Sequence, residues 1–228
     1  MSLENRNAAQ LEDPGADLLD RVQGIWQRYG RIVLGAVGVI VVMGVLGFFI
    51  MRSRATAESQ AAGKLAEANM LFWQGQYDRS LEMAKQVSTQ FGSTPSGIDA
   101  HRLAGDDLYW NAMLLNQPAK YKEAIAEYRA YLSKAKVGIL ADAAHRSLAN
   151  ALENDRQFEE AAKTYEQLVG RMGRESSAEF LLGAARSYSA LGKKAEATKI
   201  LQRLVDEFGD TSYAPSARIK LAEIQVAP

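Results

Sequence analysis

The sequence predicts an all-α protein: one transmembrane helix, then a solenoid of about four helix pairs with a closing helix. Two observations predict it. Residues 32–51 read IVLGAVGVIVVMGVLGFFIM, twenty positions without a charge, an amide or a proline. Beyond them, apolar and small residues recur at helical offsets in four successive blocks.

Residues 1–16 are polar, carry Pro14 and Gly15, and show no apolar period, which reads as a disordered tail. From Asp17 the pattern changes. Leu18, Val22, Ile25 and Tyr29 fall at helical spacing, with Asp20, Arg21, Gln27 and Arg28 on other faces. Residues 17–31 therefore read as an amphipathic juxtamembrane helix. Trp26 and Tyr29 suit the headgroup level, with Arg28 and Arg31 towards lipid phosphates. Gly30 is either a joint between this helix and the next or an ordinary helical position.

Residues 32–51 follow as the transmembrane helix. Twenty residues at a rise of about 1.5 Å span about 30 Å, the thickness of a bilayer hydrocarbon core. Arg31 closes the run on one side, and Arg52 and Arg54 close it on the other. A cleaved signal peptide is the alternative, since Ala55-Thr56-Ala57 resembles a small-residue cleavage site. The run is longer than a usual signal core, and two arginines intervene, so a retained anchor is expected. Arg21, Arg28 and Arg31 on one side balance Arg52, Arg54 and Lys64 on the other, so basic residues do not orient the span.

Residues 56–228 carry the repeat. Phe158 is followed at +3, +4, +7, +10 and +11 by Ala161, Ala162, Tyr165, Leu168 and Val169. The same offsets from Tyr121 give Ala124, Ile125, Tyr128, Tyr131 and Leu132. Lys194 and Tyr77 start two further blocks, with Ala197 and Leu201 in one and Ser80 and Ala84 in the other. These offsets describe the buried stripe of a helix. A partner helix precedes each, at about 57–74, 97–116, 139–154 and 176–191. Short turns join them, with Gly75, Ala119, Arg156 and Gly192 in equivalent places. Phe91-Gly92-Ser93-Thr94 and Phe208-Gly209-Asp210-Thr211, each followed by a proline, read as a helix stop and a capped restart. A closing helix is expected at about 214–225.

A helix-turn-helix unit of this length, with aromatic and small positions such as Leu148, Ala149, Phe158, Ala161 and Tyr165, resembles the tetratricopeptide repeat. The resemblance implies a superhelix whose concave face is lined by the first helix of each pair. On that alignment the candidate protein-binding groove is Asn69, Phe72, Asp106, Tyr109, Met113, Arg146, Asn150, Glu179, Leu182 and Arg186. Phe72, Tyr109 and Met113 suit apolar peptide contact, and core packing is the alternative for them.

Composition narrows the function. The part beyond Arg54 is close to neutral, which gives no electrostatic reason to bind nucleic acid. The chain has no cysteine, so disulfides, thiol catalysis and Cys-ligated metals are excluded. His101 and His145 form no zinc motif, and no phosphate-binding or nucleophile-elbow glycine pattern occurs. Asp106 and Asp107 are adjacent, so on a helix they diverge by about 100° and form no catalytic dyad. Neither an enzyme nor a cofactor is expected.

The order of tail, single span and repeats, with the aromatic and basic approach of Trp26 to Arg31, resembles the ancillary subunits of the bacterial protein-export translocon. That resemblance implies a cytoplasmic N-terminus at the inner membrane and periplasmic repeats. The partners it implies are translocon subunits, exported clients or periplasmic chaperones. The run Phe208 to Ala217 also looks like the unit ends of envelope scaffolds acting in division or outer-membrane assembly. A repeat-domain subunit of a larger membrane complex is a further alternative.

Overall fold

The computed structural model describes residues 14–226, and all of it outside short turns is helical. Most of the tail expected over 1–16 lies outside the described residues, and Pro14 to Ala16 already belong to the first helix. Nine helices follow one another among the described residues: α1 (Pro14–Trp73), α2 (Tyr77–Gln90), α3 (Pro95–Leu114), α4 (Ala119–Lys134), α5 (Ile139–Asn154), α6 (Phe158–Leu168), α7 (Arg174–Ala190), α8 (Lys194–Glu207) and α9 (Ala214–Val226). The chain divides into two units, Met1–Arg54 and Ala55–Pro228.

In the first unit α1 runs through Gly30 without a break, so that glycine is not a joint. It lies under the indole of Trp26, where an added Cβ would sit at an ordinary 3.5 Å from the ring. This helix contains an apolar window of mean hydropathy 2.8, none of it buried. It is long and apolar enough to cross a membrane.

In the second unit successive helices from α2 to α9 pack on one another, and α3 also touches α5. The expected stripes face inwards. Ala161, Ala162, Tyr165 and Leu168 of α6 are buried, as are Ala124, Ile125, Tyr128 and Tyr131 of α4. One core cluster joins α3 through α9, and a second holds Ala61, Leu65 and Ala68 of α1 against Ala84 and Val87 of α2.

The turns within pairs repeat one device. Gln76, Gln117, Gln157 and Lys193 each donate a backbone N–H to the carbonyl five residues back, at 2.8–3.0 Å. Gly75, Asn116, Arg156 and Gly192, the residues before them, hold positive φ. This is the left-handed ending that stops a helix while satisfying its last carbonyls. The second turn thus hinges on Asn116, not Ala119, and three extra residues stand between that hinge and the Tyr121 stripe. Ala119 instead opens α4. The first and last turns between pairs use a threonine, whereas Gly138 and Gly173 precede α5 and α7 without a side-chain cap. Thr94 donates to the Phe91 carbonyl at 2.9 Å and accepts from the Gly97 N–H at 3.0 Å, with Pro95 opening α3. Thr211 donates likewise to the Phe208 carbonyl at 2.7 Å.

Candidate protein-binding groove

The first helices of successive pairs, α3, α5 and α7, supply the candidate surface, and the second helices reach through to it. Tyr128 of α4 shows how. Its ring lies against Gly105 of α3, where an added Cβ would fall 2.6 Å from Cε1. Its hydroxyl donates to Asp106 at 2.8 Å. Tyr165 of α6 does the same one unit on. It packs on Gly183 of α7 and donates to Asn150 at 2.6 Å and to Glu153 at 2.8 Å, both on α5. A buried tyrosine thus carries its polar end to the far side of the helical layer. Burial, with the Asp106 carboxylate beside Tyr128 and Glu153 beside Tyr165, drives both phenols well above their usual range, so they remain donors.

A pocket of about 240 Å³ opens on this side. Asp106, Tyr109 and Trp110 of α3 form one wall, and Ala143, Arg146, Ser147 and Asn150 of α5 form the other. Tyr128 and Met172 complete it. An aromatic series leads into it from the first pair. Phe72 meets Tyr77 edge-on at 5.3 Å, Tyr77 is near-parallel to Trp110 at 6.3 Å, and Tyr109 meets Tyr121 at 5.6 Å.

Charges on this side are paired within or between neighbouring helices. Arg102 bonds Asp99 at 2.7 Å and Asp106 at 3.0 Å. Arg146 meets Glu179 at 2.7 Å, and Arg186 meets Glu153 at 2.9 Å. Burial raises the Asp106 carboxyl, and the Arg102 guanidinium and Tyr128 hydroxyl only partly offset it. A surface of cancelled charges with aromatic and thioether walls favours apolar side chains and peptide amides over highly charged ligands.

Of the predicted groove residues, Asp106, Tyr109, Arg146 and Asn150 come together in the pocket. Glu179 and Arg186 do not line it but tie α7 to α5. Met113 is 44% exposed outside it. Three residues belong to packing. Leu182 is buried in the larger core, because its position on α7 points inwards. Phe72 packs on the smaller core, and Asn69 is bonded to the Leu65 carbonyl of its own helix. Trp110, Tyr128, Ser147 and Met172 were not foreseen. The adjacent Tyr109-Trp110 pair was the available signal for one of them. In the first unit Trp26, Arg28, Tyr29, Arg31, Arg52 and Arg54 are all exposed along α1, with the Arg28 guanidinium 5.9 Å from the Tyr29 ring centre. His101 contacts Glu127 at 2.7 Å.

A family model for the tetratricopeptide repeat matches residues 179–211, within α7, α8 and the following turn. A crystal structure of nearly identical TPR-like repeats, attributed to a kinesin light chain of Podosopora anserina, is similar to this chain with a TM-score of 0.57. The two are 21% identical, over 73% of this chain and 86% of that one. A variant of the same Podosopora anserina protein matches at 20% identity over 73% and 85%, also with a TM-score of 0.57. No curated protein matches the chain. The fold is a TPR-like helical solenoid, and such repeats commonly bind other proteins.

Proposed function

We propose that the chain is a single-pass membrane protein whose repeats hold segments of other polypeptides in the groove around Asp106, Tyr109, Arg146 and Asn150. One observation carries this reading. Four positions chosen as groove-lining from the repeat pattern meet at one pocket, beside Trp110 and Met172. The pocket accepts an apolar side chain, while the Asn150 amide and the Arg146 guanidinium offer hydrogen bonds to a peptide backbone.

The apolar segment 32–51 confines the groove to a membrane surface, which raises its effective concentration towards clients emerging there. The layout of tail, span and repeats supports an assignment to protein export at a bacterial inner membrane. The N-terminus is then cytoplasmic and the repeats periplasmic, where they pass exported clients to chaperones.

A photocrosslinking residue in place of Tyr109, in intact cells, tests this. Capture of translocon subunits, exported polypeptides or periplasmic chaperones is the expected result. Capture confined to division or outer-membrane assembly proteins replaces export with an envelope scaffold. Protease added to spheroplasts removes the repeats if they are periplasmic. If they resist it, the repeats face the cytosol.

A further inference from the structure

The ring pair of Tyr77 and Trp110 stands between two hollows, and the groove uses only one of them. Trp110 lines the pocket beside Tyr109 and Arg146. Tyr77, near-parallel to Trp110 at 6.3 Å, lines a second hollow of about 380 Å³. Asp78 at the start of α2, and Asn111, Leu114 and Leu115 at the end of α3, line it too. All of these residues lie within the second unit.

The walls of this hollow expose apolar groups. Leu114 is 58% exposed and Leu115 53%, and neither belongs to a core cluster. Trp73, 82% exposed, meets Phe72 edge-on at 5.4 Å, and Phe72 meets Tyr77, so the aromatic series runs on to this edge. The charges at the rim are engaged. Asp78 accepts from Asn111 at 2.9 Å and faces Lys120 at 3.5 Å, and Arg79 donates to Gln76 at 2.7 Å. A contiguous exposed apolar patch with a polar rim marks an interaction site, whereas single exposed leucines are ordinary.

We infer, resting on the proposed groove, that this hollow is a second seat for the same polypeptide, and that the segments held carry two bulky apolar side chains, one on each side of Trp110. The shared ring wall makes the two seats one continuous surface. Tyr109 and Trp110 touch the first seat, and Leu114 and Leu115, five residues along α3, touch the second. Five helical residues rise about 7.5 Å, and a helix with its side chains is about 10–12 Å wide, so the seats lie about 8–13 Å apart. Two to four residues of extended chain, at about 3.3 Å each, cover that distance. A single small molecule that fills one pocket does not, whereas an unfolded chain crosses the ridge and places a side chain in each. Selection is then for paired apolar residues in an extended segment, and against a charged residue at either anchor.

Photocrosslinking to defined peptides tests this on the full chain in lipid nanodiscs. The crosslinking residue replaces Tyr109 or, separately, Leu114. The probes are biotinylated peptides of serine, glycine and asparagine that carry one phenylalanine, or two at separations of two to six residues. Two-anchor peptides with the closer separations are expected at both positions, with capture at 109 about fivefold or more above that of the one-anchor peptide. Leu114→Asn, and independently Leu115→Asn, should bring the two-anchor peptide down to the one-anchor level at 109 and leave the one-anchor peptide unchanged. Both leucines are exposed, so these substitutions act on binding without emptying the core. Equal capture of both peptides at 109, indifferent to either substitution, overturns the second seat and leaves the groove intact. Undiminished capture when aspartate replaces one phenylalanine overturns the apolar selection. Crosslinking from 114 to a second copy of the chain, in place of peptide, overturns the inference and assigns this edge to self-association. Absence of every peptide from 109 overturns the groove, and this inference with it.

Discussion

The ring of Tyr165 lies so close to Gly183 that an added Cβ would fall 2.8 Å from its Cζ. No real side chain fits there without moving the ring. The contact brings α6 against α7 and lets the Tyr165 hydroxyl pass through to Asn150 and Glu153 on α5. One glycine thus positions part of the groove's polar lining from behind.

Gly183→Ala should destabilise the repeats by about 2 kcal/mol through overpacking, lowering the melting temperature by about 4–8 °C. Gly63, within α1, has nothing within 4 Å of an added Cβ. Gly63→Ala should raise stability by about 0.5–1 kcal/mol through helix propensity. Thermal melts of the full chain in detergent, followed by helical circular dichroism, check both. Equal effects from the two substitutions would remove the special role of the Tyr165 contact.

Glu153 serves two partners. Glu153 accepts from the Tyr165 hydroxyl and pairs with Arg186. Arg186 is 44% exposed at its side chain, so water screens the pair. Glu153→Ala should therefore cost about 1–2 kcal/mol, and Arg186→Ala below about 1 kcal/mol. Glu153→Gln retains an acceptor for Tyr165 and should fall between them. Denaturant titrations of the three variants give the ranking.

The stripe of each second helix was legible in the sequence because burial within one helix needs only the helical period. Ala161, Tyr165 and Leu168 are buried where the offsets put them. The groove was less legible because it depends on how one pair stacks on the next. A small rotation of α7 separates Leu182 in the core from Glu179 beside Arg146. The passage of Tyr128 and Tyr165 hydroxyls through the layer follows from Gly105 and Gly183, which read in sequence only as small helical residues. One cross-unit signal was present. Arg146–Glu179 and Glu153–Arg186 share a separation of 33 residues, close to one repeat.

Trp110 separates binding from folding. It is 37% exposed and lines the pocket, while its ring partner Tyr77 retains Phe72. Trp110→Ala should reduce capture from a crosslinker at Tyr109 by about tenfold or more, as for a central aromatic anchor. The melting temperature should fall by only about 2–4 °C. Unchanged capture would move the binding surface away from this pocket.

Asp107 makes stability depend on pH in an unusual direction. It is fully buried on α3, and neither carboxyl oxygen has a hydrogen-bond partner. The Ser80 hydroxyl beside it is donated to the Ala68 carbonyl at 3.0 Å. Burial pushes the carboxyl from its ordinary 3.8 up to about 8; the nearby Ser80 lowers it somewhat, and Asp106 and Asp78 raise it further. The folded chain therefore keeps a proton that the unfolded chain releases near pH 4. Between about pH 4 and 8 the unfolded state binds fewer protons, so this residue's contribution to stability falls as pH rises, by at most about 1.4 kcal/mol per unit. It is fully favourable below about pH 4 and lost above about pH 8. Asp107→Asn removes the titration and supplies N–H donors that can reach the Ser80 oxygen. The variant should match the parent near pH 4, exceed it in stability at pH 8–9, and show a flatter profile between. Denaturant midpoints of both chains across that range decide the matter, and parallel profiles would mean that Asp107 does not carry the dependence.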